Sequence, residues 1–377
     1  MHQEPSGVWI DMAYTTIDDP SAHFKTVLWA GDDADPRTIT FGGNSDLQPD
    51  LVITKSRNDT NSWHTVDTSR GTTNASAVAL DRTEVEGGLT NGNTQLYGYI
   101  SAITSNGFTV VDGSNTTSYN YNKSGTNFVG YGWKANGGTT ATLDAGSLNT
   151  TGQANTTAGF SILTYTGTGD VATIAHGLGA VPHFILVKAR TNEAIDWAVY
   201  HHKNTAAPET DYLVLNTTAA TADDINFWRD TAPTSTLISI GARENVNSST
   251  SHTYVAYCFT EIQGYSKFGS YTGNGNADGT FVYTGFKPAW LLIKQSSASG
   301  ENWRLFDSAR STFNQVNKHL VPSTYGAESA ETGCDFLSNG FKLRDADAHQ
   351  NSATTYIYMA FAEQPFVTSS GVPATAR

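Results

Sequence analysis

Three lysines stand in one repeated setting. Each lies six residues after a proline, at the end of an apolar run, and a tryptophan follows eight or nine residues later: Pro49–Lys55–Trp63, Pro182–Lys188–Trp197 and Pro288–Lys294–Trp303. Three equivalent tryptophans could form three sugar-stacking platforms. They could equally be core residues of a repeated fold, with each lysine on an edge or snorkelling along apolar surface. Repeated residues usually encode the repeated fold, which favours the second reading. Two of the tryptophans start a further shared pattern, Trp63-x3-Asp67-x2-Arg70 and Trp303-x3-Asp307-x2-Arg310. An ion pair holding a turn is the expected role. The middle copy departs, with His201 and Asn204 at the corresponding places.

Other residue types invite chemistry one at a time. His201-His202 offers two imidazoles, but zinc needs more ligands, and no spaced Cys or His set accompanies them. They read as solvated loop histidines and candidate surface-recognition residues. Asn274-x-Asn276-x-Asp278-Gly279 partly fits the opening of a calcium loop, yet the twelfth position, which should be an acid, is Gly285. Asp32, Asp33 and Asp35 form another acidic turn; ordinary hairpin turns are expected in both places, and no metal site is assigned. No Gly-x-Ser-x-Gly elbow occurs, and acidic pairs such as Asp223-Asp224 do not by themselves make a glycosidase. Trp228-Arg229 sits in the variable middle of the second copy, where loops on a β scaffold usually carry recognition. It is the other candidate surface-recognition pair, as an exposed anchor, against a tryptophan that covers its own core.

The elements that must carry these residues read as strands. The lysines recur at roughly 100–130 residues, a spacing of whole small domains and too long for a solenoid. Each copy opens with an alternating strand, passes a Gly/Asp/Asn turn, and reaches the apolar run, Leu51-Val-Ile-Thr-Lys55, Phe184-Ile-Leu-Val-Lys188 or Trp290-Leu-Leu-Ile-Lys294. A run apolar on both faces predicts a central strand covered on both sides. Each copy closes with a similar strand: Phe128-x-x-Tyr131-x-Trp133, Tyr254-x-x-Tyr257-x-Phe259, Tyr356-x-x-Met359-x-Phe361. The expected fold is all-β: three tandem antiparallel β-sandwich, jelly-roll-like modules. Their bounds are 24–135, 159–263 and 264–366, with an N-terminal arm at 1–23, a Gly/Thr/Asn-rich linker at 136–158 and a C-terminal tail at 367–377, flexible or docked.

Composition agrees. Charged residues are 15% of the 377, so the polar surface comes from Thr, Ser, Asn and Gly, which favours strands and turns. A net charge of −13 without basic clusters argues against nucleic acid as a partner. No run approaches the length needed for membrane insertion, and Met1–Ser6 lacks the look of a signal peptide. Cys258 and Cys334 read as two buried reduced thiols.

The stretches Thr173–Arg190 and Gly264–Lys294, with the two Trp/Asp/Arg patterns, resemble segments of tail-fibre and other structural proteins of marine tailed bacteriophages. The likeness covers nearly all of 24–365. It implies a virion component made in the cytoplasm of a bacterial host, without catalytic residues, cofactor or enzymatic activity. It also implies other virion proteins and its own copies, as a homotrimer, as partners. The expected function is that of a non-enzymatic tail-fibre or receptor-binding component that attaches to host surface glycan or protein through many weak contacts. The alternatives are a capsid decoration, head-fibre or baseplate protein, and a surface-polysaccharide hydrolase.

Overall fold

The computed structural model describes residues 13–88, 97–114, 121–191 and 194–375. Each unit is built on one four-strand arrangement. In unit one the opening strand Phe24–Ala30 pairs with the closing strand Asn127–Trp133, which pairs with the lysine strand Leu51–Ser56, which pairs with His64–Asp67. Unit two repeats this order with Phe160–Thr166, Thr253–Phe259, Phe184–Ala189 and Ala198–His201. Unit three repeats it with Ser266–Thr272, Thr355–Pro365, Phe286–Gln295 and Arg304–Asp307. All these pairings are antiparallel, and the register is shared: Leu51 opposes Trp133, Phe184 opposes Phe259, and Trp290 opposes Phe361. The fold is all-β, as the strand and turn composition predicts.

The two-sided apolar runs have a specific cause. Val52, Ile185, Val187, Leu291 and Ile293 face inward within their own units, against a second, smaller layer of strands. In unit one that layer is Arg37–Thr40, Gly107–Val111 and Tyr99–Thr104; in unit two it is Ala172–Ala175 with Leu237–Ile240. The alternate residues Leu51, Phe184, Leu186, Trp290 and Leu292 point the other way, into one apolar cluster shared by all three units. Successive side chains on a strand leave by opposite faces, so one strand serves two cores. The units are therefore not beads on a string. Their main sheets close around a common axis, where Trp133, Phe259, Trp290 and Phe361 meet at ring separations of 5.6–6.4 Å.

The segment 136–158, expected as a linker, is a correction. Ala141–Leu143 and Thr150–Asn155 extend the main sheet of unit two beyond its opening strand, with Phe160 opposite Asn155. Small polar residues carry little apolar signal, but their backbone groups satisfy an edge as well as any. The described part of the N-terminal arm lies across the junction of units two and three: the Tyr14 hydroxyl donates to the Gly285 carbonyl at 2.8 Å, the Thr15 hydroxyl donates to that of Gln263 at 2.7 Å, and Ile17 enters the shared core. The tail docks on the arm, with the Ser369 amide donating to Asp18 at 2.6 Å. The N-terminal residues read for a signal peptide lie outside the described residues.

Candidate functional site

Trp63, Trp197 and Trp303 are at most 2% exposed, so they are not sugar platforms. Each belongs to the shared core, and each indole N–H crosses to a backbone carbonyl of a neighbouring unit. Trp63 donates to Val321 and Thr324 of unit three at 3.1 Å, Trp197 to Ala79 of unit one at 2.7 Å, and Trp303 to Val214 of unit two at 3.0 Å. The three crossings run in one rotational sense and close a ring.

The Asp–Arg pairs lie in the same seams and reach further than a turn. Between units one and two, the Tyr257 hydroxyl donates to Asp67 at 2.8 Å, and Arg70 Nε to the same carboxylate at 2.6 Å. Arg70 also meets Glu86 at 3.1 Å, and Glu86 meets Arg190 of unit two at 2.7 Å. Between units three and one the series repeats as Tyr131, Asp307, Arg310, Glu328 and Arg57, with Tyr131 to Asp307 at 2.8 Å and Arg57 to Glu328 at 2.9 Å. Asp67, Arg70, Asp307 and Arg310 are fully buried, whereas the outer arginines Arg190 and Arg57 are partly exposed. Burial pushes the Tyr131 and Tyr257 hydroxyls well above the usual tyrosine value. Two acids and two guanidiniums alternate, so each relay is charge-balanced.

The seam between units two and three holds a neutral version, position by position. Met359 replaces the tyrosine, His201 the aspartate, Asn204 the first arginine, Thr221 the glutamate and Ser296 the second arginine. The backbone proves the correspondence: Glu86 N donates to Arg190 O, Glu328 N to Arg57 O, and Thr221 N to Ser296 O. The turn bond that Ser69 N makes to Asp67 at 3.0 Å becomes Lys203 N to His201 Nδ1 at 3.1 Å. The Thr221 hydroxyl donates to Asn204 at 2.8 Å. His201 Nε2–H donates to the Tyr358 carbonyl of unit three at 3.0 Å. Burial pushes its pKa down to about 3, so the ring is neutral.

Placement corrects three expectations. His201 is a buried seam residue and His202 is half-buried, so neither is a solvated loop histidine. Trp228 is 2% exposed, edge-on to Tyr200 in the core of unit two, and cannot anchor a partner; Arg229, in a left-handed turn at φ 59°, is the half-exposed member of the pair. The lysines are not at an edge. All three are buried, each capped by backbone carbonyls: Lys55 by Ser56 at 2.6 Å, Lys188 by Ile195 at 2.7 Å and Thr83 of unit one at 2.9 Å, Lys294 by Glu301 at 2.7 Å. Desolvation lowers each to about 8. Both thiols are buried and reduced.

The calcium-like turn is tied by its own bonds. The Asn276 amide donates to the Asn274 side chain at 3.0 Å, the Asp278 amide donates to the Asn276 side chain at 2.9 Å, and Lys342 holds the Asp278 carboxylate at 2.6 Å. Asp32 is paired with Arg37 at 3.2 Å. A different set does converge: His183, His202 and Glu261 each place one ligand-type atom within 4.8 Å of the others. Sequence reading missed His183 and Glu261 because they are 19 and 59 residues from His202 on the other side of a strand pairing. An apolar cavity of about 60 Å³ lies on the shared axis beside Tyr131, Tyr257 and Met359; with wholly apolar walls it is a packing void rather than a binding site.

Residues 19–365, all three units together, match the family described as a domain of unknown function (DUF7483). The chain belongs to the DUF7483 family. No curated protein and no solved structure matches it. The extent of the DUF7483 match agrees with the shared core: the family unit is the closed ring of three, not one sandwich.

Proposed function

We propose that this chain is a non-enzymatic structural protein of a tailed-bacteriophage particle, acting in host attachment as part of a tail fibre. One observation carries the non-enzymatic reading. The repeated residues with chemical potential, the tryptophans, lysines and Asp–Arg pairs, all have their polar groups engaged within the ring. What is left to face a partner is the unit-specific loops, where Phe313 stands 79% exposed. The phage assignment rests on the resemblance of the repeated segments, and the attachment role on loops carried by a rigid body. A capsid-decoration role is the second reading, favoured by a single chain that already forms a compact three-unit ring. The test is binding of labelled protein to intact candidate host cells and to phage-resistant mutants with altered surface polysaccharide. Saturable binding that is lost on the mutants and weakened by Phe313→Ser supports attachment. A folded protein that binds no cells sinks it in favour of decoration.

A further inference from the structure

We propose that His183, His202 and Glu261 form a binding site for a divalent transition-metal ion of the zinc type at the junction of units two and three. Among the described residues this is the one group of three His, Cys, Asp or Glu side chains able to converge on an ion. Two imidazoles and a carboxylate suit zinc, with a fourth position for water.

The site sits on a node that occurs three times. In each unit the residue after the repeated proline accepts, through its backbone carbonyl, the amide of the residue five after the repeated tryptophan: Thr68 to Asp50 at 2.8 Å, His202 to His183 at 2.9 Å, Ser308 to Ala289 at 2.8 Å. Two residues past the closing aromatic, the chain reaches the same node at Ala135, Glu261 and Glu363. In unit one the node is a hydrogen-bond hub, where Asp50 accepts from the Thr68 hydroxyl and the Ala135, Gly137 and Gly138 amides at 2.7–2.9 Å. In unit three it holds Ala289 and Ser308, which leave no ligand set. Only unit two fills all three places with metal-ligating types.

The hydrogen bond of His202 favours an ion. His202 Nε2–H donates to the Phe268 carbonyl of unit three at 2.7 Å, which fixes the tautomer and leaves Nδ1 bare. That is the usual second partner of a ligating histidine. His183 Nδ1 has two neighbours that want opposite tautomers. The Thr260 hydroxyl at 3.1 Å already donates to Val181 and can only accept, whereas the Glu261 amide at 2.9 Å can only donate. An ion on Nε2 puts the ring proton on Nδ1, where it donates to the Thr260 hydroxyl, and the Glu261 amide bond gives way to it. Glu261 is held by Lys267 at 2.6 Å, and that lysine, 39% exposed, is free to swing into solvent. A tetrahedral ion with arms of about 2.0–2.2 Å draws its ligand atoms to roughly 3.5 Å apart, a closure of about 1 Å that side-chain rotation supplies.

The test uses chelator-treated full-length chain titrated with Zn²⁺ against a chromogenic chelator, with Co²⁺ absorption as a second readout. One equivalent is expected, with visible bands of a tetrahedral cobalt site. His202→Gln and Glu261→Gln should each weaken binding at least tenfold, and the isosteric Glu261→Gln guards against a folding failure at His202. Lys267→Met should tighten binding severalfold by releasing the carboxylate, an effect no purely structural role predicts. His349→Gln, at a histidine held between Asp347 at 2.8 Å and Glu301 at 3.0 Å, should change nothing. Failure of the wild-type chain to compete with the chelator overturns the proposal. So does binding unmoved by both ligand variants, or binding lost in His349→Gln.

Discussion

The seam between units three and one and the seam between units two and three do the same job with opposite chemistry. The first links Tyr131, Asp307, Arg310, Glu328 and Arg57; the second puts Met359, His201, Asn204, Thr221 and Ser296 at the same places. Backbone crossings and the indole bond are kept in both. The difference teaches that the ring does not need the charges; it needs all five positions to agree. A buried ion pair and a neutral replacement of similar volume can be close in stability, whereas half of either is costly.

The largest effect should come from breaking one relay in half. Asp307→Ala leaves buried Arg310 without its nearer carboxylate, with Glu328 at 3.3 Å as the remaining one, and should cost about 3 kcal/mol, read as a fall in the denaturant midpoint. Rewriting the seam as its neutral counterpart, with Tyr131→Met, Asp307→His, Arg310→Asn, Glu328→Thr and Arg57→Ser together, should recover most of that loss. If the fivefold variant is no better than Asp307→Ala alone, the equivalence of the two seams is wrong.

The lysines lie outside both relays and give a smaller, pH-dependent effect. Their folded pKa of about 8 is below the ordinary 10.5, so between those values the unfolded chain binds more protons, and stability should rise with pH. Below pH 8 both states are protonated and the gain is absent. Well above pH 10 the buried tyrosines, whose pKa values are raised, reverse the trend. Each Lys→Met should remove close to one proton from the uptake on unfolding between about pH 8 and 10.5; an unchanged slope would mean the ammonium groups are solvated.

A further effect separates the seams by acid. His201 is neutral when folded, with a pKa of about 3 against an ordinary 6.5, so stability that is full above pH 6.5 should drain away as pH falls toward 3. His201→Gln should flatten part of that slope while leaving the midpoint at pH 8 nearly unchanged. An identical acid slope in the variant would assign the loss to other groups.

Much of the fold was legible. Strand patterning, the threefold repetition and the two-faced central strand follow from residue alternation and turn spacing. The closure of the ring was not, because its code is split. Tyr131 answers Asp307, Tyr257 answers Asp67 and Met359 answers His201, so the coupled departures make sense only once one knows which unit faces which. Lysine burial was hidden for a similar reason: the carbonyls that cap Lys188 come partly from Thr83, in another unit. The convergence of His183, His202 and Glu261 needed the shared register of lysine and closing strands, though the positions one after the proline, five after the tryptophan and two after the closing aromatic would have shown it by comparing the three copies.

One chain holds all three units, and this sets how the ring responds to dilution. Separate copies of a single unit would have to find one another by mass action, and their midpoint would drift with concentration. Here the second and third encounters are intramolecular, at an effective concentration that no solvent volume changes. The tether also frees the copies from identity. In a ring of identical subunits every substitution appears in all seams at once; in this one, a single seam is neutral while its two neighbours are charged.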